Sequence, residues 1–482
     1  MLVNPGRKNK IILSDYNYRQ DISNRLLMAD FSVFEVEVLD EVLAHSLQIP
    51  ISELVEVLEV SCDQIKQALD KLVLTGLLTH NGETVVVDKE KRKYYEFQIQ
   101  KFDDDFAPNL EFIFRGLKRV PIHVLPNWYS IPRSSDDISA SIIEKYLSTP
   151  CAYRRHLLEL ESEDPVLQGI MNDVFKSEDF CVRSRDLRSK YDLSREEFEE
   201  YMLLLEFNLV CFISYRRVDD QWKEVVTPLH EWREYLRFQR DARPSSISQD
   251  AVEDCCMGEN FLFIRDMSQV LEAAADQPIP FAVVSDPSAL VETDLENWWK
   301  VPEVSTKSRL LHFQRVVIRL YRLGLLEQSG ANLEPSSSAS SWSKLSVQSK
   351  AVDFSRAPLF TEDFPGLPPE LFSEKNIRAV EKSLRRVVNF GWITFDAFIK
   401  WMIDPVGSSK PVTLQRKGKR WHFALPIYQK PEREFIRKVI FDRMFELGLV
   451  SIGVYQDLPC FQLTAMGRVA IGEEIVTTCV EN

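Results

Sequence analysis

Four times along the chain an amphipathic helical pattern runs into a Leu-Gly-Leu-like break and then a short apolar run. The breaks lie at 72–78, 204–210, 320–326 and 444–450. Gly76, Asn208, Gly324 and Gly448 stand where each helix stops, a position that favours a left-handed residue other side chains resist. Two apolar residues then open a strand, and three of the four continue through a polar turn into a second strand. This order predicts a mainly α protein with small β-hairpins (α+β), built as tandem winged-helix modules.

The first module, residues 1–100, opens with a helix whose apolar face is Val33, Val36, Leu39, Val42 and Leu43. A second short helix follows at 52–58. A capping-box pair, Ser61 and Gln64, then starts a third that carries Ile65, Ala68, Leu69, Leu72 and Val73 inward. Asn81-Gly82 suits the tight turn of a hairpin ending at Thr84-Val85-Val86-Val87. In the second module, 101–240, helices are expected at 165–175, 183–191 and 194–207, the last with the box Ser194 and Glu197. Its strands, 211–215 and 222–226, turn at Asp219-Asp220.

Residues 239–258 turn polar and read as a boundary. The third module, 259–335, has helices at 263–275 and 306–323, with a less regular part around Trp298-Trp299. A serine-rich stretch, 336–350, reads as a mobile linker. The C-terminal module, 351–482, has helices at 374–389, 394–402 and 432–447 and a hairpin from 449–452 to 460–463. Ahead of its third helix an inserted hairpin, 412–425, turns at Lys417-Gly418.

At 482 residues and 45% hydrophobic content the chain has room for several ordinary cores. The net charge of −14 argues against a whole-surface affinity for nucleic acid, so any such binding must be local. Arg7, Lys8 and Lys10 are followed only by Ile11-Ile12-Leu13, which is no signal-peptide core, and 201–215 is too short and too polar to span a bilayer. Eight scattered cysteines, of which only Cys255-Cys256 are adjacent, fit reduced thiols in a cytoplasm. The expectation is a cytoplasmic protein with no membrane partner.

The seven histidines are dispersed, and no phosphate-binding loop, zinc-protease or serine-hydrolase motif occurs, so neither enzymatic activity nor a cofactor is expected. The exposed face of a winged helix's third helix commonly enters the DNA major groove. In the first module that face, Asp63, Lys66, Gln67, Asp70 and Lys71, carries no net charge; in the second, Arg195 stands against Glu196, Glu197, Glu199 and Glu200, which repel phosphate. In the third, Ser308, His312, Arg315, Arg319 and Arg322 recur at intervals of four and three on one stripe. Guanidinium groups bind phosphate and guanine in bidentate fashion, so this row is a candidate nucleic-acid contact; the alternative is a solvated face or one paired with a neighbouring module's acids. The inserted hairpin offers Arg416, Lys417, Lys419 and Arg420 beside Trp421, with no acid from Lys410 to His422. Such a tip suits a nucleic-acid backbone with the ring on a base, or else it is a charged turn with Trp421 in the core.

Residues 261–326 with the serine-rich stretch, then Leu447-Gly448-Leu449-Val450 and Leu463-Thr464-Ala465-Met466-Gly467-Arg468, resemble the accessory tandem winged-helix region beside XPB-type helicases in bacteria. The resemblance covers the C-terminal half and implies fold and DNA-associated work without a motor. Two functions follow: a transcription- or repair-associated protein that binds duplex DNA through the basic helix and hairpin, or an interaction scaffold whose winged helices pack on protein partners.

Overall fold

In the computed structural model of the protein each break closes a helix and opens an antiparallel hairpin. The structure describes residues 11–471 apart from 135–136, 162–163, 257–261, 286–294, 296, 300–305, 357–365 and 419. The first module runs through helix Val33–Ala44, strand Gln48–Pro50, helices Ile51–Leu58 and Cys62–Val73, and strands Leu78–His80 and Thr84–Val87. The second repeats this as Pro165–Lys176, Val182–Arg183, Ser184–Lys190, Arg195–Phe207, Cys211–Val218 and Gln221–Pro228. In the third, helices Leu262–Asp276 and Thr306–Arg322 flank strand Ile279–Pro280 and precede strands Leu326–Ser329 and Asn332–Pro335. The fourth has Glu374–Leu384, Ile393–Thr394, Phe395–Trp401, Lys430–Lys438 widening into a π turn at Val439–Met444, then Val450–Tyr455 and Leu458–Leu463.

The sheets of all four modules share one order: the second hairpin strand lies beside both the first hairpin strand and a short strand from earlier in the module. The chain is thus a mixed α+β protein with small antiparallel sheets. The short strands, two or three residues each, escape the sequence reading because alternation needs more positions to show.

The capping boxes form as read: Ser61 Oγ accepts from the Gln64 amide while Gln64 Oε1 accepts from the Ser61 amide, and Ser194 and Glu197 do the same. A third, Ser32 with Glu35, opens the first helix. Gly76, Gly324 and Gly448 take positive φ, between 66° and 72°. In the second module the sequence points to the wrong residue: Asn208 keeps φ −79° and Leu209 takes +64°. Asn208 instead donates from its side-chain amide to the Leu204 carbonyl, and the strain passes to a leucine held by burial at 1% exposure.

One other expectation changes. The serine-rich stretch is no mobile linker; it carries helices Ala339–Ser343 and Val347–Arg356 and buries Trp342. Its hydroxyls bond backbone, Ser336 and Ser338 both donating to the Gly324 carbonyl. The polar stretch at 239–258 does hold the boundary between the two compact units, at Arg240/Asp241, and is structured where described: strand Glu253–Cys256 adds a fourth strand beside Val450–Tyr455 and Ile247 bridges Trp392.

The chain divides into two compact units, one of Met1–Arg240 with Thr413–Ala424 and the other of Asp241–Val412 with Leu425–Asn482. The first holds the first two modules and the second the last two. In the second unit one core joins the two modules, with Val317 and Leu320 of the third and Phe435, Ile440 and Phe461 of the fourth almost fully buried in it. Among the described residues no helix is long and apolar enough to cross a membrane.

Candidate functional site

The arginine row lies on helix Thr306–Arg322, whose opposite stripe buries Phe313, Val316, Val317 and Leu320 and half-buries Leu310. Its polar face is occupied rather than free. The imidazole Nε2 of His312 lies 2.9 Å from Asp266 Oδ2, and its ring stacks on Trp299, whose indole N–H donates to the other Asp266 oxygen. Arg315 bonds Asp442, and Arg319 donates to Glu446 at 2.8 Å with its guanidinium over the Phe354 ring. Arg322 is half-buried and engaged as well, while the Ser308 side chain lies outside the described residues.

Both arginine bonds span the same separation of 127 residues, so the third helices of the third and fourth modules meet in parallel register. The acids are spaced by four, like the bases, and each helix presents such a pair on one face. Glu446 is almost wholly buried, its side chain 3% exposed. Of the two readings of this row, the open nucleic-acid contact is therefore corrected and the alternative, pairing with a neighbouring module's acids, is what the structure has: a ladder of ion pairs inside the unit. The matching spacing of Asp442 and Glu446 was the signal in the sequence that would have found it.

The acidic helix of the second module is corrected in a related way. Glu199 turns inward, with Glu206 two turns further along the same face, onto Arg25 of helix Tyr18–Met28. Arg25 Nε donates to Glu199 at 2.6 Å, and its two terminal nitrogens grip both oxygens of Glu206 at 2.8 and 3.0 Å. Lys101 reaches Glu206 at 3.2 Å, and nearby Arg119 bonds Asp21, which also accepts from the hydroxyls of Tyr16 and Tyr94. Burial lifts the Glu199 carboxyl to about 7, with Arg25 offsetting only part of the rise. At Glu206 burial acts in the same direction, but Arg25 and Lys101 prevail and hold it down to about 2. Burial lowers the Lys101 ammonium to about 8 against the pull of Glu206.

The inserted hairpin, Thr413–Lys417 and Arg420–Ala424, forms, with Gly418 at φ +62° in its turn; Lys417, expected in the turn, instead ends the first strand opposite Arg420. It does not project from the fourth module: it belongs to the first unit, where the Leu414 amide donates to the Ser148 carbonyl and the Phe423 ring packs against Trp232 and Tyr235. Phe423 and Leu414 are buried, Trp421 opposite Arg416 is half-buried, and Leu425, expected to face the body, is exposed. Arg416, Lys417 and Arg420 are exposed, and among the described residues none has a carboxylate partner; Lys419 lies outside them. Arg420 sits near helix His230–Asp241. There burial, Arg233, Arg420 and Arg237 together hold the His230 imidazole below its ordinary pKa, with Glu234 opposing.

A cleft of about 560 Å³ opens on the second module between helix Ser184–Lys190, the start of helix Arg195–Phe207 and strand Gln221–Pro228. Arg183, Arg185, Arg188, Arg195 and Lys223 line it, with Asp30, Asp186, Glu199 and Glu224. Of these the sequence pointed only to Arg195; Arg183 closes a two-residue strand, and Arg185 and Arg188 sit on the second helix, which is not the one that commonly enters a groove. No family model matches the chain, and no curated protein matches it at a significant level.

Proposed function

We propose that the four modules are winged helices and that the chain is a non-enzymatic interaction scaffold whose third helices recognise protein surfaces. The observation that carries this is the parallel ladder of Arg315 with Asp442 and Arg319 with Glu446. A third helix that enters a groove must bring free cations to phosphate, and each cation neutralised beforehand removes a counterion-release contribution. Here the most basic third helix has spent its charge on the third helix of the next module. The second module's third helix likewise spends Glu199 and Glu206 on Arg25. Helices of this kind already bind protein surfaces within the chain, which is the activity a scaffold extends to partners.

A titration of the full chain with duplex and single-stranded DNA at two salt concentrations tests the reading. The expected result is that Arg315→Ala with Arg319→Ala lowers the melting temperature and leaves any DNA affinity unchanged. Loss of saturable duplex binding at unchanged stability overturns it.

A second reading, nucleic-acid contact through the hairpin, is favoured by one observation: Arg416, Lys417 and Arg420 stand exposed without carboxylate partners among the described residues. On this reading the contact is with the phosphate backbone, and replacing the three with Ser lowers the salt slope of binding by about three. An unaltered slope leaves the scaffold alone.

A further inference from the structure

We propose that the cleft of the second module binds a small phosphate-bearing ligand. The proposal stands independently of the scaffold reading, since none of its residues belongs to the ladder or the hairpin.

Antiparallel pairing of Val182–Arg183 with Val225 and Val226 brings the start of the second helix beside Lys223 of the wing strand. Arg185 and Arg188, three apart, then share a face of the helix. Among the described residues none of Arg183, Arg185, Arg188 or Lys223 has a carboxylate within ion-pair distance. Two of the cleft's four acids are already committed, Asp30 to Arg195 at 3.0 Å and Glu199 to Arg25 at 2.6 Å. That leaves Arg183, Arg185, Arg188 and Lys223, the last donating only to the neutral Gln221 side chain, against Asp186 and Glu224.

A second, independent observation points to a ligand. Ser184, on the wall of the cleft, is 1% exposed and its hydroxyl has no hydrogen-bond partner; the indole N–H of Trp222, also on the wall, has none either. Buried donors are normally satisfied, because leaving one unpaired costs stability. Phosphate oxygens accept from hydroxyl, indole and guanidinium alike, and planar guanidinium forks suit them best.

The shape favours a small molecule over a nucleic-acid strand. Leu26, Ala29 and Asp30 wall off one side, and Arg195 at the start of the third helix is tied to Asp30. The volume of about 560 Å³ is that of an ordinary small-molecule site.

The test is calorimetric titration of the full chain with inorganic pyrophosphate and, separately, with ADP. Saturable binding of one ligand per chain is expected. Arg185→Ser with Arg188→Ser, both near the surface, should weaken it by about tenfold or more at unchanged melting temperature. Ser184→Ala should also weaken it without loss of stability, because it removes an unsatisfied hydroxyl. Arg416→Ser with Lys417→Ser and Arg420→Ser should leave it unchanged. Pyrophosphate binding as tightly as ADP assigns the site to phosphate alone, and tighter ADP binding assigns it to a nucleotide; either supports the proposal. No saturation by either anion, unchanged affinity in the double arginine variant, or binding by duplex DNA only overturns it.

Discussion

Gly467 shows how one missing side chain joins two distant motifs. A Cβ on it would lie 1.9 Å from the Leu449 carbonyl oxygen, in a backbone that cannot yield cheaply. Thr464, three residues earlier, donates from its hydroxyl to the Gly448 carbonyl and accepts from the Gly467 amide. The Leu-Gly-Leu stop and the later Leu-Thr-x-x-Gly are therefore two sides of one contact. Gly324 sets the opposite case, with φ +68° and open space around its missing Cβ. Gly324→Ala is expected to cost only the left-handed strain, about 1 kcal/mol, whereas Gly467→Ala should cost several times more because the backbone itself must shift. Chemical denaturation of the two variants checks the order; equal losses would mean that the close approach at Leu449 is relaxed in solution. The Asn208 and Leu209 pair marks where such reading fails: residue type suggested Asn208, but packing gave the positive φ to Leu209.

Among the elements, the third helices carry the argument. Arg319→Ala should destabilise the second unit by about 3–5 kcal/mol, because Glu446 is left buried and unpaired. An exposed phosphate-binding arginine would instead be removed at almost no cost, so thermal unfolding separates the two roles. The inserted hairpin divides into anchor and tip. Phe423→Ala should cost about 3 kcal/mol, while Ser at Arg416, Lys417 and Arg420 should shift stability by less than about 0.5 kcal/mol. In the first unit, burial raises Glu199 from the ordinary carboxylate range to about 7, so it favours folding below about 4.5 and loses that contribution as pH rises toward 7. Glu199→Gln keeps the shape without the titration. The stability of the native protein relative to this variant should therefore fall between pH 5 and 7.5, by on the order of 2–3 kcal/mol. A flat difference across that range would show Glu199 to be ionised throughout.

Across the whole molecule, the repeat is legible and its assembly is not. Helix period, capping serines, stop glycines and turn residues act within about a dozen positions, so Ser61 with Gln64, Gly324 and Asn81-Gly82 announce their elements without help from distant chain. Three of the four hairpins were legible for that reason, and of the third module's only the first strand. The short third strand of each sheet was not, since Gln48–Pro50 is recognisable only by its partner Thr84–Val87. The same holds for the inserted hairpin, whose strands and turn are local but whose assignment to the first unit depends on Trp232 and Tyr235. It holds most strongly for charge. Arg315 and Arg319 look like a ligand-binding stripe until Asp442 and Glu446 arrive from 127 residues away, and Glu199 looks repulsive until Arg25 arrives from 174. Local sequence specifies backbone conformation because its hydrogen bonds close within a turn or two, but whether a charged side chain is free depends on which surface is folded against it.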